Sequence, residues 1–150
     1  MTPAVTNKKA INVLLVEDNE NDAFFTREAF DAGGQVVNLH HVDNGAKCLE
    51  FLRAQGAYGD APRPDLILLD INMPVMDGRE VLREIVRDNK LKNLPVVVLT
   101  TSSAATDIQS MYDMRCTSYL VKPIDFDYFV EMIRELKEYW FDLVALPAPA

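Results

Sequence analysis

The sequence predicts one α/β domain in which a parallel five-stranded sheet is covered by helices on both faces. The chain has 150 residues, the length of a single domain, and its 49% hydrophobic and 25% charged residues are typical of a globular protein. Short apolar runs alternate five times with polar or amphipathic stretches. Such alternation is typical of a doubly wound sheet whose strands are joined by right-handed helical crossovers.

The five apolar runs are the predicted strands. Three of them are almost continuously apolar and rich in Val, Ile and Leu, as expected for inner strands buried on both faces: Ile11–Val16, Leu66–Ile71 and Pro95–Thr101. Two others have a mixed composition, as expected at the sheet edges: Val36–Val42 and Ser118–Val121. Five strands in this pattern favour the flavodoxin-like order 2-1-3-4-5.

The predicted helices follow the strands and show helical spacing of apolar residues: Glu20–Ala32, Asn44–Ala54, Gly78–Arg87, Ala104–Asp113 and an extended last helix, Asp125–Val144. Gly33-Gly34 predicts the end of the first helix. The stretch Gln55–Pro64, which has two glycines and two prolines, is predicted to be a loop. We expect the folded domain to span 11–146, with a disordered leader at 1–10 and a disordered tail at 147–150.

Composition excludes several classes of protein. A net charge of −8 disfavours nucleic-acid binding, because phosphates must be neutralised by Lys and Arg. No apolar run approaches the ~18 residues that a membrane span needs, and the first nine residues lack the apolar core of a signal peptide. Cys48 and Cys116 form no motif and are predicted to be buried thiols of a cytoplasmic protein. His40-His41 is predicted to lie on the surface of an edge strand, away from any site.

Polar side chains follow four of the five predicted strands. They are Glu17 and Asp18 after the first, Asp70 and Asn72 at the third, Thr100 at the fourth and Lys122 at the fifth. Taken singly, such residues also serve as helix caps, strand ends or surface charges. Together they meet at the carboxyl edge of the sheet, where open α/β sheets bind ligands. Carboxylates, an ammonium and a hydroxyl at one Mg²⁺ site are the parts that phosphoryl transfer to an Asp requires.

Four segments carry a family resemblance: Val13–Asn19, Leu66–Gly78, Pro95–Thr100 and Tyr119–Pro123. In this order and spacing they resemble the receiver domain of two-component response regulators, over about Ile11 to Val144. The resemblance implies that Asp70 is the phospho-acceptor. It also implies that Glu17, Asp18, Asp70 and the main-chain carbonyl of Asn72 hold Mg²⁺, for which Mn²⁺ or Ca²⁺ could substitute in crystals. The acidic pair is Glu-Asp here, a common variant of Asp-Asp.

The resemblance also implies a switch. Lys122 corresponds to the phosphate-sensing lysine, and its bond to Pro123 is expected to be cis. Thr100 corresponds to the switch hydroxyl, and Tyr119 to the aromatic residue that turns inward when Thr100 is drawn to the phosphate. The family residues that tune dephosphorylation correspond to Asn72 and Ser102.

The extended last helix has two apolar faces. One is predicted to pack on the sheet: Phe126, Phe129, Val130, Ile133, Lys137, Trp140 and Val144. The other, formed by Tyr128, Met132, Tyr139 and Leu143, is predicted to be a protein interface. Because receivers commonly dimerise through the fourth helix, fifth strand and fifth helix, we expect a homodimer.

The resemblance implies a sensor histidine kinase as phosphoryl donor. Only 28 residues follow Lys122, which predicts a single-domain response regulator rather than an enzyme. The extended helix, the missing effector and the loop at 55–64 are similar to the small response regulators of phytochromes, which implies a phytochrome as the kinase.

Four alternatives remain open. The chain could be an intermediate receiver in a multistep phosphorelay, or a degenerate receiver that binds its partner constitutively. An aspartyl-phosphate phosphatase of the haloacid dehalogenase kind needs a second Asp where this chain has Asn72, which cannot transfer a proton. A flavodoxin-like cofactor binder needs a phosphate loop rich in Gly and hydroxyls, where this chain has the acidic segment 17–20.

Overall fold

The computed structural model describes residues 11–32, 36–73 and 76–147. Its five strands are β1 (Ile11–Val16), β2 (Val37–Val42), β3 (Leu66–Leu69), β4 (Val96–Thr100) and β5 (Ser118–Val121). All neighbouring strands are parallel, and their order is β2-β1-β3-β4-β5. The predicted fold class and strand order are therefore confirmed.

The helices are α1 (Glu20–Asp31), α2 (Gly45–Leu52), α3 (Gly78–Arg87), α4 (Ala105–Asp113) and α5 (Phe126–Lys137). Four of them begin at a side chain that accepts a hydrogen bond from a first-turn N–H, in the order Asn19, Asn44, Asp77 and Asp125. The helix α4 begins at Ala104 without such a cap. The loop at 55–64 contains one 3₁₀ turn, Gly56–Tyr58.

Several predictions lie wholly or partly outside the described residues. These are the leader at 1–10, the helix stop at Gly33-Gly34 and the tail beyond Pro147. Pro74 and Val75 of the second matching segment also lie outside them. Among the helices that are described, none is long and apolar enough to cross a membrane.

Two apolar layers cover the sheet. On one face α2, α3 and α4 pack against alternate strand residues, among them Leu14, Val16, Ile67, Leu69, Val96 and Val98. On the other face α1 and α5 pack against the residues between them, among them Val13, Leu15, Leu66, Leu68, Val97 and Leu99. Burial on both faces explains why the inner strands are almost continuously apolar. Cys48 and Cys116 are buried free thiols, as predicted.

The last helix differs from the prediction in its second half. The α-helix ends at Lys137 and continues as a π-helical segment, Glu138–Leu143, in which the N–H of Val144 donates to the carbonyl of Tyr139 at 2.9 Å. Phe129, Ile133 and Trp140 are buried against the sheet as expected. The prediction for Phe126 is wrong, since this residue is 42% exposed in the first turn and its ring contacts Phe25 on α1 rather than the sheet.

Lys137 is buried among apolar residues, as its position on the sheet-facing stripe predicts. Its ammonium donates to the carbonyl of Phe30 at 2.7 Å, in the last turn of α1. The last turn of α1 contains no basic residue of its own. Lys137 therefore supplies from α5 the positive charge that stabilises the carboxyl end of a helix.

Candidate functional site

Three carboxylates converge at the carboxyl edge of the sheet. Glu17 and Asp18 follow β1, and Asp70 follows β3, which is the neighbour of β1. Their ligand oxygens all lie within 4.8 Å of one another. Glu17 is 1% exposed and Asp70 is 9% exposed, whereas Asp18 is open to solvent. The convergence predicted for these three strand-end residues is therefore confirmed.

Lys122 lies beside the carboxylates. Its ammonium is 2.5 Å from Glu17 Oε1 and 3.6 Å from Asp22 Oδ2. Burial raises the pKa of Glu17 to about 7, against the hydrogen bond from Lys122, which acts in the opposite direction. Burial by itself lowers the pKa of Lys122, but Glu17, Asp70 and Asp22 outweigh that effect and raise this pKa. Lys122 therefore remains a cation at neutral pH.

The donor set fits a hard divalent cation. All three side chains offer carboxylate oxygens, the ligand type that Mg²⁺ prefers, and exposed Asp18 leaves one side open to water ligands. Asn72 is also exposed, and its N–H donates to Asp70 Oδ1 at 3.3 Å. Several clustered negative charges with one ammonium leave an excess of negative charge that a divalent ion would neutralise.

Gly78 sets how closely α3 approaches Asp70. A Cβ at this position would lie 2.6 Å from the carbonyl oxygen of Asp70 and 2.7 Å from the Cα of Ile71. Both atoms belong to the backbone, so only glycine allows α3 to begin this close to the end of β3. The matching segment at 66–78 includes this residue, but the sequence alone assigns it no role.

The switch residues meet around the loop that follows β4. Thr100 is 1% exposed, and its hydroxyl oxygen accepts a hydrogen bond from the N–H of Ser102 at 3.4 Å. Tyr119 packs against the core layer of α2, α3 and α4, and its hydroxyl donates to the carbonyl of Ser102 at 3.0 Å. Tyr119 thus occupies an inward position. The Ser102 hydroxyl donates a hydrogen bond to Asp107. The effect of Ser102 on dephosphorylation stays a prediction.

Two expectations about the neighbourhood of the site are wrong. No peptide bond among the described residues is cis, so the bond between Lys122 and Pro123 is trans. Trans is the form that X–Pro bonds prefer by about 0.5–1 kcal/mol, and Lys122 reaches Glu17 from it. His41 is not remote from the acidic edge either, since its Nε2 donates to the carbonyl of Glu17 at 2.7 Å. The pairing of Val42 with Val16 brings the end of β2 to this edge.

An apolar wall borders the site, and the sequence prediction missed it. It consists of Phe24, Phe25, Ile124 and Phe126, which are exposed by 57%, 47%, 105% and 42% respectively. A cavity of about 530 Å³ is lined by Phe25, Ile124, Phe126 and Lys122, and Phe24 contacts Phe25 beside it. Two consecutive Phe residues on one helix cannot both face the sheet, so the sequence pair Phe24-Phe25 already indicated an exposed aromatic side chain on α1.

The second apolar stripe of the last helix lies where it is predicted. Tyr128, Tyr139 and Leu143 are exposed by 71%, 54% and 77%, and Met132 is half-buried. Met132 and Tyr139 line a groove of about 310 Å³ between β5 and α5. The role of this stripe as an interface stays a prediction.

The fold and the site define a class of protein. The chain belongs to the response regulator receiver domain family, whose model matches residues 13–144. It is similar to the response regulator Rcp1 of Synechocystis sp., with 39% identity over 91% of this chain and 92% of Rcp1.

Two solved structures are also similar. One is the phosphorylated cyanobacterial phytochrome response regulator RcpA, with a TM-score of 0.88, 38% identity, and coverage of 93% of this chain and 100% of that one. The other is the Mn²⁺-bound form of Rcp1, with a TM-score of 0.81, 37% identity, and coverage of 92% and 99%.

Proposed function

We propose that this protein is a response regulator that accepts a phosphoryl group on Asp70 from a phosphohistidine of a sensor histidine kinase, with Mg²⁺ bound by Glu17, Asp18, Asp70 and the carbonyl of Asn72. The observation that carries the proposal is the cluster of three carboxylates within 4.8 Å, with the Lys122 ammonium beside them. The Mn²⁺-bound form of similar Rcp1 supports the choice of a divalent ion.

The residues of this chain supply positioning and charge for the transfer. The N–H of Asn72 holds Asp70 Oδ1, which leaves Oδ2 to attack the phosphorus. An O–P bond forms at Asp70 as the N–P bond of phosphohistidine breaks, and the imidazole leaves. Lys122 neutralises charge on the phosphoryl oxygens. Mg²⁺ held by the carboxylates would supply further neutralisation of the phosphoryl charge.

The new phosphoryl group then acts on the switch. The Thr100 hydroxyl donates to a phosphoryl oxygen, and Tyr119, which is already inward in the unphosphorylated chain, stays packed beside it. Shifting a two-state equilibrium from 1:99 to 99:1 takes about 5.5 kcal/mol of differential interaction. Because Tyr119 is already inward, less than this amount is needed, and a charge-assisted hydrogen bond from Thr100 and the contact with Lys122 together supply it.

The apolar wall is the surface on which the kinase would dock. It lies beside Lys122, so a domain seated there would present its phosphohistidine to Asp70. We propose a phytochrome as this kinase, because the similar protein RcpA is a phytochrome response regulator. The stripe of Tyr128, Met132, Tyr139 and Leu143 would extend an interface of α4, β5 and α5 in a homodimer.

The protein acts in the cytoplasm on this proposal, in keeping with its two free thiols. It is not a turnover enzyme. A sustained release of p-nitrophenol from p-nitrophenyl phosphate would contradict this part of the proposal, because Asn72 cannot serve as the general acid that such turnover needs.

Intact-mass spectrometry tests the central step. The protein is incubated with acetyl phosphate in Mg²⁺ or in EDTA, beside an Asp70→Asn variant. We expect one added phosphoryl group that requires Mg²⁺ and is lost in the variant. No added mass in any condition, together with no binding of beryllofluoride, would overturn the proposal.

A further inference from the structure

Three side chains join the loop after β4 to two helices. Asp107, in the first turn of α4, accepts a hydrogen bond from Arg79 Nη2 at one carboxylate oxygen and one from the Ser102 hydroxyl at the other, both at 2.6 Å. The Arg79 and Asp107 side chains are only 28% and 25% exposed. We call this cluster the Arg79–Asp107–Ser102 clamp. None of its three side chains is required by the phosphoryl transfer proposed above.

The clamp fixes Ser102, which contacts both switch residues. The N–H of Ser102 donates to Thr100 Oγ1 at 3.4 Å, and its carbonyl accepts the Tyr119 hydroxyl at 3.0 Å. The Ser102 hydroxyl oxygen also accepts the N–H of Ala104 at 3.3 Å. Any displacement of Ser102 therefore moves the acceptor that holds Tyr119 inward.

The helix α4 depends on the clamp for its position. It begins without a side-chain cap and buries only Met111. Elements with few buried contacts open at low free-energy cost. The ion pair between Arg79 and Asp107 ties the first turn of α4 to the first turn of the better-packed helix α3. The Ser102 hydroxyl and the Arg79 charge also lower the pKa of Asp107, so its carboxylate stays ionised at neutral pH.

We infer that the Arg79–Asp107–Ser102 clamp holds Tyr119 inward before phosphorylation, so that Arg79 and Asp107 act as positioning residues that preset the switch of this receiver. A preset switch has a measurable consequence. The binding-competent state is highly populated without ligand, and loss of the clamp lowers that population and the apparent affinity for a phosphoryl mimic. We expect a loss of about three- to tenfold, the factor that one ordinary, partly exposed hydrogen bond contributes.

Fluorine NMR of the full chain labelled with 3-fluorotyrosine reports the position of Tyr119. The chain has five tyrosines, and a Tyr119→Phe variant assigns the resonance. In the unmodified chain we expect this resonance to move little when beryllofluoride and Mg²⁺ are added. In Arg79→Ala and Asp107→Ala it should shift without ligand and return when beryllofluoride binds.

Arg83→Ala is the matched control. It removes the same charge from the same helix, one turn later, from an exposed residue for which the described part of the chain shows no ion pair or hydrogen bond. Its Tyr119 resonance should equal that of the unmodified chain. Arg79→Lys should restore part of the effect, and the double variant at 79 and 107 should be no worse than either single one.

Two results of the ligand-free measurements would contradict the clamp. An unchanged Tyr119 resonance in ligand-free Arg79→Ala and Asp107→Ala would overturn the clamp, as would an equal shift in Arg83→Ala. Should those two variants fail to fold, Ser102→Ala gives the same comparison, because it removes the hydroxyl and keeps the carbonyl. The use of beryllofluoride rests on the proposed function. If beryllofluoride moves no resonance in any of these proteins, the proposed phosphorylation at Asp70 is contradicted. The ligand-free spectra still test the clamp in that case.

Discussion

Replacing Gly78 by Ala should damage the site because of a single methyl group. The new Cβ would lie 2.6 Å from the Asp70 carbonyl oxygen and 2.7 Å from Ile71 Cα, where ordinary contacts begin at 3.4 Å. Neither atom can rotate away, so α3 or the end of β3 must move by the better part of an ångström. Overpacking of this kind costs about 1–3 kcal/mol, which equals or exceeds the gain of about 1 kcal/mol that Ala usually brings to a helix.

The displacement reaches the reacting group, because the crowded carbonyl belongs to the residue that accepts the phosphoryl group on our proposal. A misplacement of about 1 Å lowers a rate by up to about 100-fold. Urea unfolding followed by circular dichroism measures the stability of Gly78→Ala. The initial rate of labelling by acetyl phosphate, read by intact mass, measures the site.

Gly59→Ala is the matched control. Gly59 has ordinary helical dihedral angles, and the nearest atom to its added Cβ would be 3.7 Å away. Such a substitution should be neutral or stabilise the protein by up to about 1 kcal/mol. If Gly78→Ala were as stable as Gly59→Ala and labelled at the same rate, our explanation of how α3 is placed would be refuted.

Three further predictions follow from the structure. Phe25→Ala should slow phosphotransfer from the kinase by about tenfold and leave labelling by acetyl phosphate unchanged, since loss of a docking anchor costs about 1–2 kcal/mol. Cys48 and Cys116 should resist iodoacetamide at pH 8 in the folded protein and react in urea, because burial raises their pKa values to about 12 and about 11. Burial, and to a lesser degree the charge of Arg27, lower the pKa of His40. The unfolded chain therefore binds the proton more readily, so the free energy of unfolding should fall as the pH drops through about 6.5, and His40→Phe should flatten this dependence in urea titrations.

Each of these predictions has a control. Tyr128→Ala removes an exposed aromatic residue away from the wall, and an equal slowing of phosphotransfer would contradict docking at Phe25. Labelling of the folded protein at either cysteine would mean that its side chain reaches solvent. A pH dependence in His40→Phe as steep as in the unmodified chain would assign that dependence to another group.

The site could be located from the sequence because its residues lie at the ends of predicted strands. Parallel strands place their carboxyl ends at one edge, so Glu17, Asp70 and Lys122 had to converge once the five strands were recognised. The polar contacts around the site follow from side-chain reach, which spacing does not encode. The link from Arg79 to Asp107 spans 28 positions and two helices, and it carries no local signal.

The two wrong predictions about the last helix have similar causes. Apolar periodicity predicted a helix over 125–144 but could not separate an α-helix from the π-helical segment, since five of the six residues at 141–146 are apolar and show no helical period. Phe126 keeps the helical spacing and still faces outward, because it lies in the first turn of α5 beside Phe25. The spacing of apolar residues along one helix does not show where the sheet beneath that helix ends.

The site of phosphorylation can be measured directly. After treatment with acetyl phosphate and Mg²⁺, borohydride reduces an acyl phosphate of Asp to homoserine, and peptide mass spectrometry locates the new residue. We predict homoserine at position 70 alone, and none when EDTA is present. Homoserine at position 18, or reduction that does not depend on Mg²⁺, would contradict the assignment of Asp70 as the acceptor.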